Sequence, residues 1–258
     1  MGIPQYGNGP YRFVLCNPSQ GAALINLFQT TGRALEQQIY PEALKGPKSL
    51  AFKTFFSTNS ATTIANVFSD INLGATTKSV DKKSTKPPVF ACVNPETDIG
   101  MVHWAQWTCQ KFGYTAFMET SGLFVFFCPS FWNNNMNLDG PHSVYCPKLN
   151  RDGTAYATDG IGVGTGKYLN KNRVATIIHE LAHTYSTNVG SDEVYALNEI
   201  IKREPAFQLG NPSNYMYFSS CTYDFHKRHS SRKDDSRPAC DVRTFLKFDF
   251  PLLRFAFY

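Results

Sequence analysis

Apolar positions recur at helical spacing in several stretches of this chain. Over residues 18–39, Leu24, Ile25, Phe28, Leu35 and Ile39 fall near one face, with Pro18-Ser19 offering a start and Pro41 an end. Residues 60–72 read as a second helix, ended by Gly74. Residues 170–187 carry the strongest pattern, through Val174, Ile177, Ile178, Leu181, Ala182 and Tyr185. After a turn at Gly190, residues 191–203 read as another helix, capped by Ser191 or Asp192, with Pro205 just beyond its end. Two aromatic-rich runs within residues 113–128 flank Thr120-Ser121-Gly122 and predict a β-hairpin. The lysine-rich stretch 76–88 reads as an exposed loop, and residues 139–166, rich in Gly, Asp and Pro, as irregular chain. No apolar run approaches the ~20 residues of a membrane-spanning helix, so no membrane partner is expected. No internal repeat and no clear linker precede Cys221.

Composition sharpens this picture. With 258 residues, 42% hydrophobic and 17% charged, the chain has the makings of a globular core, and 14% aromatic content fits one built from large side chains. The net charge of +5 is diffuse. Residues 222–258 hold eight of the Lys and Arg residues against five Asp. No dense basic stripe or recognisable module accompanies them, so nucleic acid is not an expected partner. The seven cysteines form no CxxC pair, which favours disulfides and an oxidising compartment, with one cysteine left over. Residues 1–13 lack the basic segment and apolar core of a signal peptide; a secreted protein in mature form, with an added Met1, is the expectation. Gly162 to Lys167 looks like a phosphate loop but lacks its first glycine and its Ser or Thr.

The candidate chemistry lies in His179-Glu180-Leu181-Ala182-His183. Two histidines four residues apart in a helix project from one face, so both imidazoles can reach one ion, and zinc favours such nitrogen ligands. Glu180 points too far sideways to be a ligand but can reach a metal-activated water, which is the place of a general base. The surrounding Ile, Leu and Ala would make this a costly place for an unpaired His-Glu-His cluster. A third ligand is needed. The position six residues beyond His183 is Val189, which removes one common pattern. Glu199, sixteen residues on, is the thermolysin-like alternative, although that pattern asks for about twenty. Asp192 and Glu193 lie nine and ten residues on.

The run His179-Glu180-x-x-His183 followed by Asp192-x-x-Tyr195 resembles the deuterolysin group of zinc metalloendopeptidases, the aspzincins. Their third ligand is an aspartate in Gly-Thr-x-Asp-x-x-Tyr-Gly; here the segment reads Val189-Gly190-Ser191-Asp192-Glu193-Val194-Tyr195-Ala196, without the preceding Gly-Thr and the final Gly. Cys16-Asn17-Pro18-Ser19-Gln20 is similar to the family's N-terminal start, Thr115 through Trp132 to its hairpin, and Asn214 to Phe218 to its last helix. The likeness spans residues 16–221.

The resemblance implies an α+β, zincin-like fold, with helices packed on a small, mostly antiparallel sheet and the zinc site in the cleft between them. It implies a catalytic domain over 1–221 and an extension over 222–258, basic and then aromatic-rich. One zinc ion would be held by His179, His183 and Asp192. Glu180 would be the general base and Tyr195 the oxyanion donor. On a helix, Asp192, Tyr195 and Glu199 would share a face, with Glu199 able to orient a histidine. Ser213 occupies the position where some members carry an acidic residue that selects lysine, so lysine specificity is not implied. The implied disulfides are Cys16–Cys92, Cys109–Cys128 and Cys146–Cys221, leaving Cys240. Protein or peptide substrates, secretion and a monomeric state are expected. The rival is a secreted binding or effector protein that keeps the fold without activity; such a protein has no need of Glu180. His226 and His229 read as polar residues of a basic tail, His103 and His142 have no assigned role, and Phe245 to Tyr258 alternates like a strand.

Overall fold

Two apolar cores lie on opposite faces of one five-stranded sheet in the computed structural model, which describes residues 5–6, 12–76, 88–94, 100–119, 124–133, 173–186 and 193–228. The strands are β1 (Gln5–Tyr6), β2 (Phe13–Val14), β3 (Val89–Cys92), β4 (Ala116–Met118) and β5 (Phe124–Phe127), in the order β1-β2-β3-β5-β4. Successive side chains alternate between the cores: Phe90, Cys92, Val125 and Phe127 face one, and Val89, Ala91 and Phe126 the other. Burial on both faces explains why β3 shows no polar alternation.

The expected hairpin is present, with β4 and β5 antiparallel and Phe117 opposite Phe126. The sheet as a whole is mixed rather than mostly antiparallel. β2 with β3 and β3 with β5 are parallel pairs, whereas β1 with β2 and β4 with β5 are antiparallel. Helices between residues 18 and 76 carry the chain from β2 to a parallel β3, whereas the helix Gly100–Phe112 leads from β3 into β4, which runs the opposite way, and the hairpin then brings β5 back parallel to β3.

The first helix, α1 (Pro18–Ala34), begins with a capping box in which Asn17 and Gln20 satisfy each other's backbone N–H groups. Pro41 does not end the helical run as its position suggests. The chain stays helical through a π segment (Leu35–Ile39) into α2 (Tyr40–Leu44). The π turn bonds the Tyr40 N–H to Leu35 O, and Pro41 then falls in a first turn, where no N–H is required. The remaining helices are α3 (Leu50–Phe56), α4 (Ala61–Thr76), α5 (Gly100–Phe112), α6 (Arg173–Tyr185), α7 (Leu197–Ile200), α8 (Pro205–Gly210) and α9 (Pro212–Arg228). The helix expected over 60–72 passes Gly74 to Thr76, and α9 continues across residue 221.

The helix expected over 191–203 is largely absent. Residues 193–196 are non-helical, and only Leu197–Ile200 form α7. Tyr195 and Glu199 therefore do not share a helix face, and Asp192, the third residue of that expectation, lies outside the described residues.

Helix α5 covers the smaller core, while α1, α3, α4, α6 and α9 build the larger one. Where α3, α4 and α9 meet, Phe56 packs against Tyr215 and Phe218 with ring centroids 5.0 and 5.4 Å apart, and Phe68 packs against both. Disulfides Cys16–Cys92 and Cys109–Cys128 are both formed. Cys221 is also disulfide-bonded; Cys146 and Cys240 lie outside the described residues. So do the hairpin turn, most of 76–88, residues 139–166 and the tail beyond Arg228, with His142 and His229.

Candidate metal centre

Nearly every residue of α6 is buried, because the helix runs between the sheet and α9. Its hydrophobic positions hold the core, and the i, i+4 spacing turns His179 and His183 to one side, ring centroids 5.1 Å apart. A carboxylate meets them from the extended segment 193–196. Glu193 Oε1 lies 3.1 Å from His179 Nε2, and Oε2 lies 3.4 Å from His183 Nε2. Glu193 also accepts from the Tyr195 hydroxyl at 2.6 Å and from Ser213 Oγ at 3.4 Å.

What straightens this segment is Asn211. Its Oδ1 accepts from the Val194 N–H at 3.3 Å and its Nδ2 donates to the Val194 carbonyl at 3.0 Å, as a neighbouring strand would do. Asn211 Nδ2 also donates to Asn214 Oδ1 at 2.7 Å, and Asn214 Nδ2 donates to Phe55 O at 2.6 Å. With both amides buried, these bonds are not exchanged for water, and they override the helical pattern of the sequence.

Glu180 is 5% exposed and accepts a hydrogen bond from the Met118 backbone. Thr115 O and Glu119 N bond to the β5 side, so the period-2 pattern points the N–H and C=O of Ala116 and Met118 to the edge of β4 that no strand covers among the described residues. The general-base candidate is thus gripped by the edge strand.

The charges are coupled. Burial works against ionised Glu193, but His179 and His183 overcome it and hold its carboxyl well below the usual range. Burial alone would lower the His179 pKa; the charge and hydrogen bond of Glu193, with the charge of Glu180, raise it above its ordinary 6.5. Burial pushes the Glu180 carboxyl up from its ordinary 4.5, against the pull of both histidines and the Met118 hydrogen bond.

The donor set fits a metal ion. One ligand atom each from His179, His183 and Glu193 lies within 4.8 Å of the others, the group of that kind among the described residues. Two imidazole nitrogens and one carboxylate are a donor set that zinc takes, and the two Glu193 oxygens face one nitrogen each, at 3.1 and 3.4 Å.

Of the residues expected at the site, His179, Glu180, His183 and Tyr195 come together around one cavity of about 560 Å³. Asp192 lies outside the described residues. Ser213 is fully buried against Glu193 and does not line the cavity. Glu199 is exposed on α7 and stands outside the three-residue group. Glu193, one of the two adjacent carboxylates weighed for the third ligand, is the one found at the histidines. Two contributors carry no recognised signal in the sequence: Asn211 as the clamp, and the Met118 backbone as the partner of Glu180. An Asn-Pro pair opening a helix, as at Asn211-Pro212, is the one hint present.

No protein-family model matches this chain, and no curated protein does. Among solved structures it is similar to a zinc peptidase from Grifola frondosa, with 15% identity, 80% of this chain and 96% of that chain covered, and a TM-score of 0.43. The functional reading rests on the site itself.

Proposed function

We propose that this protein is a zinc-dependent endopeptidase of the deuterolysin type. The observation that carries the reading is the Glu193 carboxylate spanning His179 and His183, with Glu180 in the same cavity. His179, His183 and Glu193 would hold the ion; Asp192, the adjacent carboxylate, is the ligand the family resemblance implies. When bound, zinc supplies Lewis acidity, polarising a carbonyl and lowering the pKa of a water.

The chain's own groups have the remaining tasks. A substrate in extended form pairs with the outward Ala116 N–H and C=O and the Met118 C=O of β4, the Met118 N–H being held by Glu180, and this brings its scissile carbonyl over α6. Glu180, its pKa raised by burial, takes the proton of the attacking water and returns it to the departing amine. Tyr195 donates its hydroxyl to the carbonyl oxygen as negative charge develops there, turning away from Glu193 to do so. The disulfides support an oxidising, extracellular setting for this work.

Casein digestion with and without a chelator tests the proposal. Cleavage that stops on chelation, returns with zinc and is abolished in Glu180→Ala is expected. A zinc-loaded wild-type protein that cleaves nothing, and behaves like Glu180→Ala, would overturn it in favour of a binding protein that retains the fold.

A further inference from the structure

Large hydrophobic side chains are seldom left in water in groups, and a contiguous set marks a contact surface. Six are exposed among the described residues: Leu44, Trp104, Trp107, Phe112, Tyr114 and Tyr195. Four of these, Trp104, Phe112, Tyr114 and Tyr195, line the cavity that holds His179 and Glu180. Trp104 and Phe112 come from α5, and Tyr114 from the turn that leads into β4.

The rings form one connected wall. Phe112 stacks on Tyr114 with centroids 5.3 Å apart at 20°, and Tyr114 meets Phe117 at 6.0 Å. Trp104 stands edge-on to Phe117 at 5.6 Å. Phe117 is itself buried and stacked on Phe126, so the wall is rooted in the sheet. The Cys109–Cys128 bond fixes α5 to the end of β5 less than one turn before Phe112. A wall held in place this way loses little conformational freedom when it takes a ligand.

We infer that the aromatic wall of Trp104, Phe112 and Tyr114 is a specificity subsite that takes an aromatic or large apolar side chain of the substrate, next to the scissile bond. The inference rests on the peptidase reading for the word substrate, but not for the binding preference itself. The wall continues directly into the cavity with Glu180, so a peptide lying along β4 must pass it. Among the described residues no Lys or Arg lines that cavity, so nothing there is placed to pair with an acidic side chain. On the wall itself a cation meets the Lys111 ammonium, 4.3 Å over the Trp107 ring and 5.2 Å over Phe112; the carboxylates that line the cavity, Glu119, Glu180 and Glu193, stand outside the wall. An uncharged ring gains stacking against Phe112 and Tyr114 and an edge contact with Trp104.

Blocked alanine hexapeptides carrying one central Phe, Leu, Lys, Glu or Ala test this in two arms. In the first, binding to the zinc-loaded Glu180→Gln protein is measured by tryptophan fluorescence and by calorimetry. The Phe peptide is expected to bind about tenfold tighter than the Ala peptide, with Lys and Glu no better than Ala. Trp104→Ala and Phe112→Ala, each at a half-exposed position and each compared with wild type by thermal melt, are expected to bring the Phe-to-Ala ratio close to one. Equal affinity across the series, a preference for Lys, a ratio unmoved by both substitutions, or equal binding of a chito-oligosaccharide each overturns the inference. In the second arm, wild-type protein is scored for cleavage of the same peptides. Selective binding of Phe with no cleavage of any peptide overturns the peptidase reading and leaves the subsite standing; cleavage without selectivity does the reverse.

Discussion

The ring of Tyr195 stacks on that of His179, centroids 5.7 Å apart and 25° from parallel, while its hydroxyl donates to Glu193. The two halves of this side chain therefore have separable tasks. The ring braces a candidate ligand, and the hydroxyl is the group free to move to a substrate. Tyr195→Phe keeps the first and removes the second. We expect kcat to fall by about a hundredfold with KM and zinc content little changed, which is the size of effect seen when an oxyanion donor is lost. Steady-state kinetics beside metal analysis checks this; an unchanged kcat removes Tyr195 from the mechanism.

The ligand set is decided by metal content. Glu193→Ala is expected to strip zinc from the purified protein, because the carboxylate at both histidines is removed. Glu199→Ala, on the exposed side of α7, is expected to retain one zinc per chain. Asp192→Ala separates the reading drawn from the structure from the one drawn from the resemblance. Full zinc in Asp192→Ala and none in Glu193→Ala supports Glu193, and the opposite result assigns the ligand to Asp192.

Stability of the metal-free protein should depend on pH in a particular way. Glu193 has a lowered pKa, so its contribution is present above the ordinary 4.5 and is lost as pH falls through the folded value. His179 has a raised pKa, so its contribution is present below 6.5 and is lost as pH rises through the folded value. Glu180 has a raised pKa too, and its burial penalises the fold increasingly as pH climbs above 4.5. The chelated protein is therefore expected to have its highest Tm in mildly acid solution, between those two values, and to weaken toward pH 8. Zinc should reverse the trend, because its ligands must be deprotonated. Thermal melts from pH 4 to 8 with and without chelator test this; a chelated protein that grows steadily more stable up to pH 8 contradicts it.

Asn211 acts on the site without touching the histidines. Replacing it with Ala removes the partner of the Val194 N–H and C=O and the donor to the buried Asn214 Oδ1, while Asn214 Nδ2 keeps its bond to Phe55 O. The expected cost is about 1–3 kcal/mol of stability. Because Asn211 sets the segment that presents Glu193, we also expect zinc affinity to fall by about tenfold to a hundredfold. Denaturant melts and a competitive chelator titration measure the two effects; loss of stability with unaltered zinc affinity would confine Asn211 to the fold.

Elements with one apolar stripe are legible in the sequence. In α6, Ile177, Ile178, Leu181 and Tyr185 announce the helix and carry the histidines with it, and β4 and β5 show as aromatic runs. Segments buried on all sides are not legible. In α3 the buried set Ala51, Phe52, Thr54, Phe55 and Phe56 leaves too little polar face to give a period. All four residues of β3 are buried. The mixed sheet is hidden for the same reason, since its parallel pairs depend on β3. At the site, the i, i+4 histidines and the adjacent Glu180 come from local spacing. The straightening of residues 193–196 does not, because it is imposed by an amide on Asn211 that no periodicity reveals.

The Cys109–Cys128 bond closes a ring of chain with a sequence separation of 19, and Phe112, Tyr114 and the whole of β4 lie inside it. A peptide bond broken anywhere within that ring leaves both new ends attached to the same molecule. For a protein whose proposed trade is cutting extended chains at this rim, the arrangement confers tolerance to autolysis: a self-inflicted nick between β4 and β5 opens the loop without releasing either wall of the cleft.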